Sequence, residues 1–73
     1  MITLQVNGKK VELEAPTTLV AYIAKLGLDP RAVAIEHNGR IVERASYDSV
    51  KLVDADVVEI VRMVGGGSGP TRD

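Results

Sequence analysis

The sequence predicts an α+β fold, a mixed sheet of four to five strands with one helix packed across it. Two segments alternate apolar and polar residues around an Asn-Gly pair, at Asn7-Gly8 and at Asn38-Gly39. A two-residue hairpin loop selects that pair because both of its positions take positive φ. Between the hairpins, residues 17–27 carry one stretch of helical periodicity, and residues 57–64 read as a final strand. Neither hairpin can hide its apolar face alone, so the helix has to cover them.

In the first hairpin Ile2, Leu4 and Val6 alternate with Thr3, Gln5 and Asn7. A loop at Asn7-Gly8 sets Val6 against Lys9, Leu4 against Val11 and Ile2 against Leu13, which leaves a single polar side chain among these six on that face. Ala15-Pro16 breaks the chain in an extended conformation. Thr17 or Thr18 then caps a helix of about ten residues that carries Leu19, Ile23 and Leu26 on one face, with Val20 and Tyr22 flanking. Gly27 ends it in the left-handed region, Leu28 packs back, and Asp29-Pro30 turns the chain.

The second hairpin pairs residues 33–37 with 40–43, Ile35 opposite Val42 and Glu36 opposite Ile41, which leaves Ile41 exposed. Residues 45–52 are irregular, anchored by Tyr47 and Leu52, and Asp54-Ala55-Asp56 is a turn. With the last strand central beside the first, Val58 and Ile60 face the helix while Glu59, Val61 and Met63 face outward.

At 73 residues the chain holds one domain. A chain of that size buries only about 60% of its unfolded surface, too little to build a deep catalytic cleft. The hydrophobic fraction is 45% with two tyrosines as its aromatics, so the core is aliphatic. Net charge is −1 with the signs interspersed, which gives no footprint for nucleic acid or an anionic membrane. The absence of cysteine excludes a disulfide framework, a thiolate metal site and a cysteine nucleophile. No apolar run approaches the roughly 18 residues of a membrane span, and the N-terminus starts as a strand, which sets a cytoplasmic expectation.

Residues 1–64 thus form the domain and 65–73 a flexible glycine-rich tail. Its first part, Gly65-Gly66-Gly67, follows directly on the last strand. Without a Cβ, a glycine end threads a narrow channel and leaves its carboxyl carbon open from either face. Residues 68–73 would block chemistry there until removed.

The order of elements is a β-grasp pattern, as in ubiquitin. The whole of residues 1–67 resembles the bacterial sulfur carriers of thiamine thiazole synthesis, the ThiS family. The resemblance rests on Val6-Asn7-Gly8, Leu26-Gly27-Leu28, Glu36-His37-Asn38-Gly39 with Val42 and Arg44, and above all on the closing segment from Asp56 to Gly67.

It implies a co-substrate and not an enzyme. In that family a ubiquitin-activating-like adenylyltransferase uses ATP to adenylate the terminal glycine carboxylate. A sulfur donor converts the acyl adenylate to a thiocarboxylate, and thiazole synthase receives the sulfur. Carried over, the terminus is Gly67 or Gly66, Gly65 presents it, and no cofactor is bound by the chain itself, a monomer when free; the extension 68–73 departs from the family and is either a pro-segment that a processing peptidase removes or not native to the protein. Ala55 stands where the family commonly has Gly, so that turn either avoids positive φ or carries mild strain.

Ile41, Val61 and Met63, with Val64 beside the tail, are the candidate partner-binding residues, since clustered exposed apolar side chains mark interaction sites. His37 reads as a solvated residue flanking a turn, and Glu36, Glu43, Asp54 and Asp56 as solvated or capping carboxylates with no ligand spacing. A sulfur carrier for molybdopterin, cysteine, tRNA thiolation or a secondary metabolite, a ubiquitin-like protein modifier, and a β-grasp interaction module with a passive tail all stay open.

Overall fold

The computed structural model describes residues 1–63 and the backbone of residues 70–71. Expectations about Val64, Gly65, Gly66, Gly67 and the rest of the 68–73 extension lie outside the described residues.

Strands β1 (Ile2–Val6) and β2 (Lys9–Leu13) pair in the expected register, with Ile2 opposite Leu13, Leu4 opposite Val11 and Val6 opposite Lys9. Asn7 at φ 51° and Gly8 at φ 80° make the turn. The second hairpin repeats this chemistry. Strands β4 (Val33–His37) and β5 (Arg40–Val42) meet across Asn38 at φ 52° and Gly39 at φ 84°, with Ile35 opposite Val42 and Glu36 opposite Ile41.

Between the hairpins, β3 (Thr17–Thr18) leads into helix α1 (Leu19–Lys25). The Thr18 hydroxyl accepts from the Ala21 N–H at 3.2 Å and caps it. The next N–H groups of the helix start, which an isolated helix leaves unsatisfied, find carbonyls in the irregular segment. Leu19 donates to Val50 at 2.8 Å and Val20 to Tyr47 at 2.9 Å. That segment also supplies β6 (Lys51–Leu52), antiparallel to β3 in a separate two-stranded ribbon that two-residue strands do not announce in a sequence.

The helix is seven residues long instead of about ten, and its buried side chains are Leu19, Tyr22 and Ile23. Leu26 does not belong to the core; it is 47% exposed. The reason lies in the cap. Leu26 is the C-cap, one residue past the helix, Gly27 at φ 77° swings the chain away, and the Leu28 N–H returns to the Ile23 carbonyl at 3.1 Å. Leu28 is the residue that packs on the core after the turn.

The last long strand, β7 (Val57–Met63), lies in the middle of the main sheet, whose order is β2-β1-β7-β4-β5. It runs parallel to β1 and antiparallel to β4, so the sheet is mixed. A short strand β8 (Pro70–Thr71) pairs antiparallel with its end.

The core between sheet and helix combines Ile2, Leu4 and Leu13 with Leu19, Tyr22 and Ile23, Val33 and Ile35, Tyr47 and Leu52, and Val58. Ile60 packs on it partly buried. The Tyr47 hydroxyl donates to the Val33 carbonyl at 3.4 Å, which gives this buried phenol its partner.

Leu19 is fully buried and Leu26 half exposed, so truncation should separate them. Leu19→Ala is expected to cost about 2–5 kcal/mol. Leu26→Ala should cost less than about 1 kcal/mol. Chemical denaturation of both variants is the measurement.

Candidate functional site

The glycine run follows β7 in the sequence, so the candidate site is built by whatever fixes that strand. Its start is held from the β4–β5 turn. The Asn38 side chain accepts from the Val57 N–H at 2.8 Å, and the Asn38 N–H donates to the Val57 carbonyl at 2.7 Å. Further along, the other hairpin turn does the same from the opposite edge. Asn7 Oδ1 accepts from the Ile60 N–H at 2.7 Å while its Nδ2 donates to the Ile60 carbonyl at 3.1 Å, and the Asn7 N–H donates to Val58 at 2.9 Å. An amide side chain presents an acceptor and a donor side by side, so each asparagine stands in for a residue of a neighbouring strand.

The turn that launches β7 is fastened to both hairpins. Thr3 donates its N–H to Asp54 Oδ1 at 2.8 Å and accepts from the Ala55 N–H at 2.8 Å, and Gln5 donates to the Asp56 carbonyl at 3.0 Å. These bonds hold Ala55 at φ 74°. Of the two outcomes open for this turn, the structure takes the strained one, since a Cβ at positive φ is crowded by the following carbonyl.

Asp56 corrects an expectation. Of the two roles open to it, solvated or capping, the solvated one is wrong: the carboxylate is 7% exposed and caps its own turn. Its oxygens accept from the Val53 N–H at 3.0 Å and from Asn38 Nδ2 at 3.0 Å, and lie 2.8 Å from His37 Nε2. His37 is likewise no freely solvated residue; its side chain is 22% exposed and paired. The short-range sequence reading misses both because the two residues are separated by nineteen positions and meet only when β7 enters the sheet beside β4. Burial pushes the Asp56 carboxyl pKa up. Hydrogen bonds from His37, the Val53 N–H and Asn38, together with the charge of His37, outweigh that and hold it below the ordinary 3.8.

On the outer face of the sheet, Ile41 is 79% exposed and Met63 39%, whereas Val61 is half-buried. Val61 and Met63 share the exit end of β7. Ile41 sits two strands away on β5, at the end of a row that runs through Glu36 on β4 to Glu59 on β7. The structure therefore joins Val61 to Met63 but sets Ile41 apart from them across β4, beside Glu36. Among the described residues no group of three or more His, Cys, Asp or Glu side chains could hold a metal ion, and no helix is long and apolar enough to cross a membrane.

The model of the ThiS family matches residues 4–67. The chain belongs to the ThiS family. The sulfur carrier protein ThiS of Bacillus subtilis (strain 168) is 42% identical over 65 residues, covering 88% of this chain and 98% of that protein. A thiazole synthase of Magnetococcus marinus is 39% identical over 70 residues, 96% of this chain but 22% of that protein. The chain thus spans about a fifth of the length of the thiazole synthases it matches. A crystal structure of a thiamine biosynthesis protein (ThiS) from Geobacter metallireducens superposes with a TM-score of 0.79 at 29% identity, covering 90% of this chain and all of that one. The β-grasp architecture expected from the order of elements is the one observed.

Asp56→Ala is expected to destabilise by about 2–4 kcal/mol, because it strands buried donors on Val53 and Asn38. A carboxylate with a depressed native pKa contributes stability above its unfolded pKa and loses it as pH falls through the native one. The gap between parent and variant in denaturation should therefore be full at neutral pH and shrink below about pH 4. Ala55→Gly should stabilise by about 1 kcal/mol by relieving the left-handed conformation, read as a rise in thermal midpoint.

Proposed function

We propose that this chain is a sulfur carrier of thiamine biosynthesis, acted upon by enzymes and not itself a catalyst, whose working end is the carboxylate of Gly67. The observation that carries the reading is the family match, which runs from the first strand through the glycine run and stops at Gly67. The chemistry follows from the group. A glycine carboxylate is a poor electrophile; its oxygen attacks the α-phosphorus of ATP and expels pyrophosphate. A sulfur donor then displaces AMP from the acyl adenylate and leaves a thiocarboxylate. ATP and the sulfur donor are bound by the partner enzymes.

The protein's own part is mechanical. A strand fixed on both edges carries a tail of residues without side chains, so a partner that grips the domain knows where the reactive carbon is. The adenylyltransferase would engage that end first. Thiazole synthase as the recipient is supported by the stretch of the Magnetococcus marinus thiazole synthase that is similar to this chain. The Val61 and Met63 pair beside the exit is the surface we assign to partner contact, with Val64 next in sequence and Ile41 as an outlying member. Residues 68–73 must be removed before adenylation, which calls for a peptidase.

ATP–pyrophosphate exchange with a thiamine-pathway activating enzyme tests the reading. The form ending at Gly67 should support exchange and the form ending at Asp73 should not. Activity only in a form ending at Gly66 would move the terminus by one residue. No exchange with any form would sink the carrier reading and leave an interaction module with a passive tail.

A further inference from the structure

β2 (Lys9–Leu13) is an edge of the main sheet, so it is paired on one side only. Which of its main-chain groups are left over follows from β1. Thr3, Gln5 and Asn7 bond away from β2, to Asp54 and Ala55, to Asp56 and to Val58. Main-chain groups of alternate residues in an antiparallel pair point to opposite edges, so Ile2, Leu4 and Val6 bond to their register partners Leu13, Val11 and Lys9. Lys10 and Glu12 therefore turn their N–H and C=O groups to the open edge and their side chains to the outer face of the sheet. Val11, between them, packs on the core from the helix side and stays half-buried.

A lysine on an edge strand repels an added strand. Here its charge has a complement two residues away. For a second copy of β2 laid antiparallel about a two-fold axis, the registers that bring the open groups opposite one another centre on Lys10, Val11 or Glu12. Centred on Lys10 or Glu12, the pairing sets like charges against each other, which weakens a sheet, and overlaps the two strands only in part. Centred on Val11, it sets Lys10 against Glu12 of the partner subunit and Glu12 against the partner's Lys10. That register also overlaps the whole of Lys9–Leu13 with its copy, and it brings Val11 against the partner's Val11 at the position where side chains approach most closely.

We propose that the open edge of β2 joins two copies of this chain in the register centred on Val11, a reversible dimer in place of the monomer that the resemblance implies. One sheet then runs through both copies. Each β7 lies two strands in from the joint, and the two-fold axis reverses one β7 relative to the other. The Val61 and Met63 pairs of the two copies therefore stand at opposite ends of the joined sheet, and the joint covers neither. The pairing itself stands independently of the carrier reading.

Sedimentation equilibrium of the full chain tests the dimer, at low ionic strength where exposed charge pairs are least screened. Interfaces below about 1,200 Å² are weak and transient, and one strand from each copy stays in that class, so the series has to reach about 1 mM protein. The average mass should rise with concentration from 7.8 kDa toward twice that value. Lys10→Glu and Glu12→Lys each set like charges opposite one another, and each should stay monomeric over the same range. Their equimolar mixture, and the double variant Lys10→Glu/Glu12→Lys, restore opposite charges and should regain the concentration dependence of the parent. A parent that stays monomeric, single variants that associate as the parent does, or a mixture that fails to associate would each overturn the proposal.

Discussion

A strand in the middle of a sheet has to satisfy its N–H and C=O groups on both edges, because buried main-chain groups left unpaired each cost as much as a lost hydrogen bond. β7 is longer than its overlap with β1, which pairs through Gln5 and Val6. The shortfall is covered by side chains: Asn7 at Ile60 on one edge, and Asn38 at Val57 on the other. The two hairpins are therefore more than neighbours of the central strand. Each turn closes its own loop and reaches across to fix β7, and Asp56 ties the launch of β7 to the β4–β5 turn through His37 and Asn38. These bonds set the position of β7 in the sheet.

That arrangement suits the carrier role proposed above, in which the chemistry is at the end of the chain. What it needs is a body rigid enough to be recognised and a terminus slender enough to be threaded. The strained Ala55 sits in the turn that starts β7. The outer face divides into an apolar end at Val61 and Met63 and an acidic row at Glu36 and Glu59. Like charges placed opposite one another in a sheet weaken the pair by a few tenths of a kcal/mol to about 1 kcal/mol, so this face is not arranged for stability alone.

Much of the fold was legible in the sequence because its rules are local. Asn7-Gly8 and Asn38-Gly39 dictate both hairpin registers, Gly27 dictates the helix end, and alternation places Val58 inward. The failures share one cause, which is that the deciding partner lies far along the chain. The periodicity that enlists Leu26 ignores that the helix stops one residue earlier, so the burial goes to Tyr22. The ribbon of Thr17–Thr18 with Lys51–Leu52 is too short to leave a pattern. Asp56 looks like any turn carboxylate until His37 arrives beside it. The asparagines were readable as turn formers, but nothing local says that their amides also act as surrogate strands. Pro70 argues against a strand unless the parity of hydrogen bonding along β7 is known.

The central place of β7 also bears on how the protein is made. Its pairing joins residue 5 to residue 57 and residue 33 to residue 62, contacts that close only after long loops have been ordered and that slow folding accordingly. A nascent chain lacking β7 has two hairpins with open inner edges and no strand to join them, a form prone to pair with the wrong neighbour. The path β2-β1-β7-β4-β5 closes only when β7 inserts, and the glycine run is synthesised immediately after that strand. Chain order thereby couples the two: a product truncated before its middle strand is complete also lacks the glycine run.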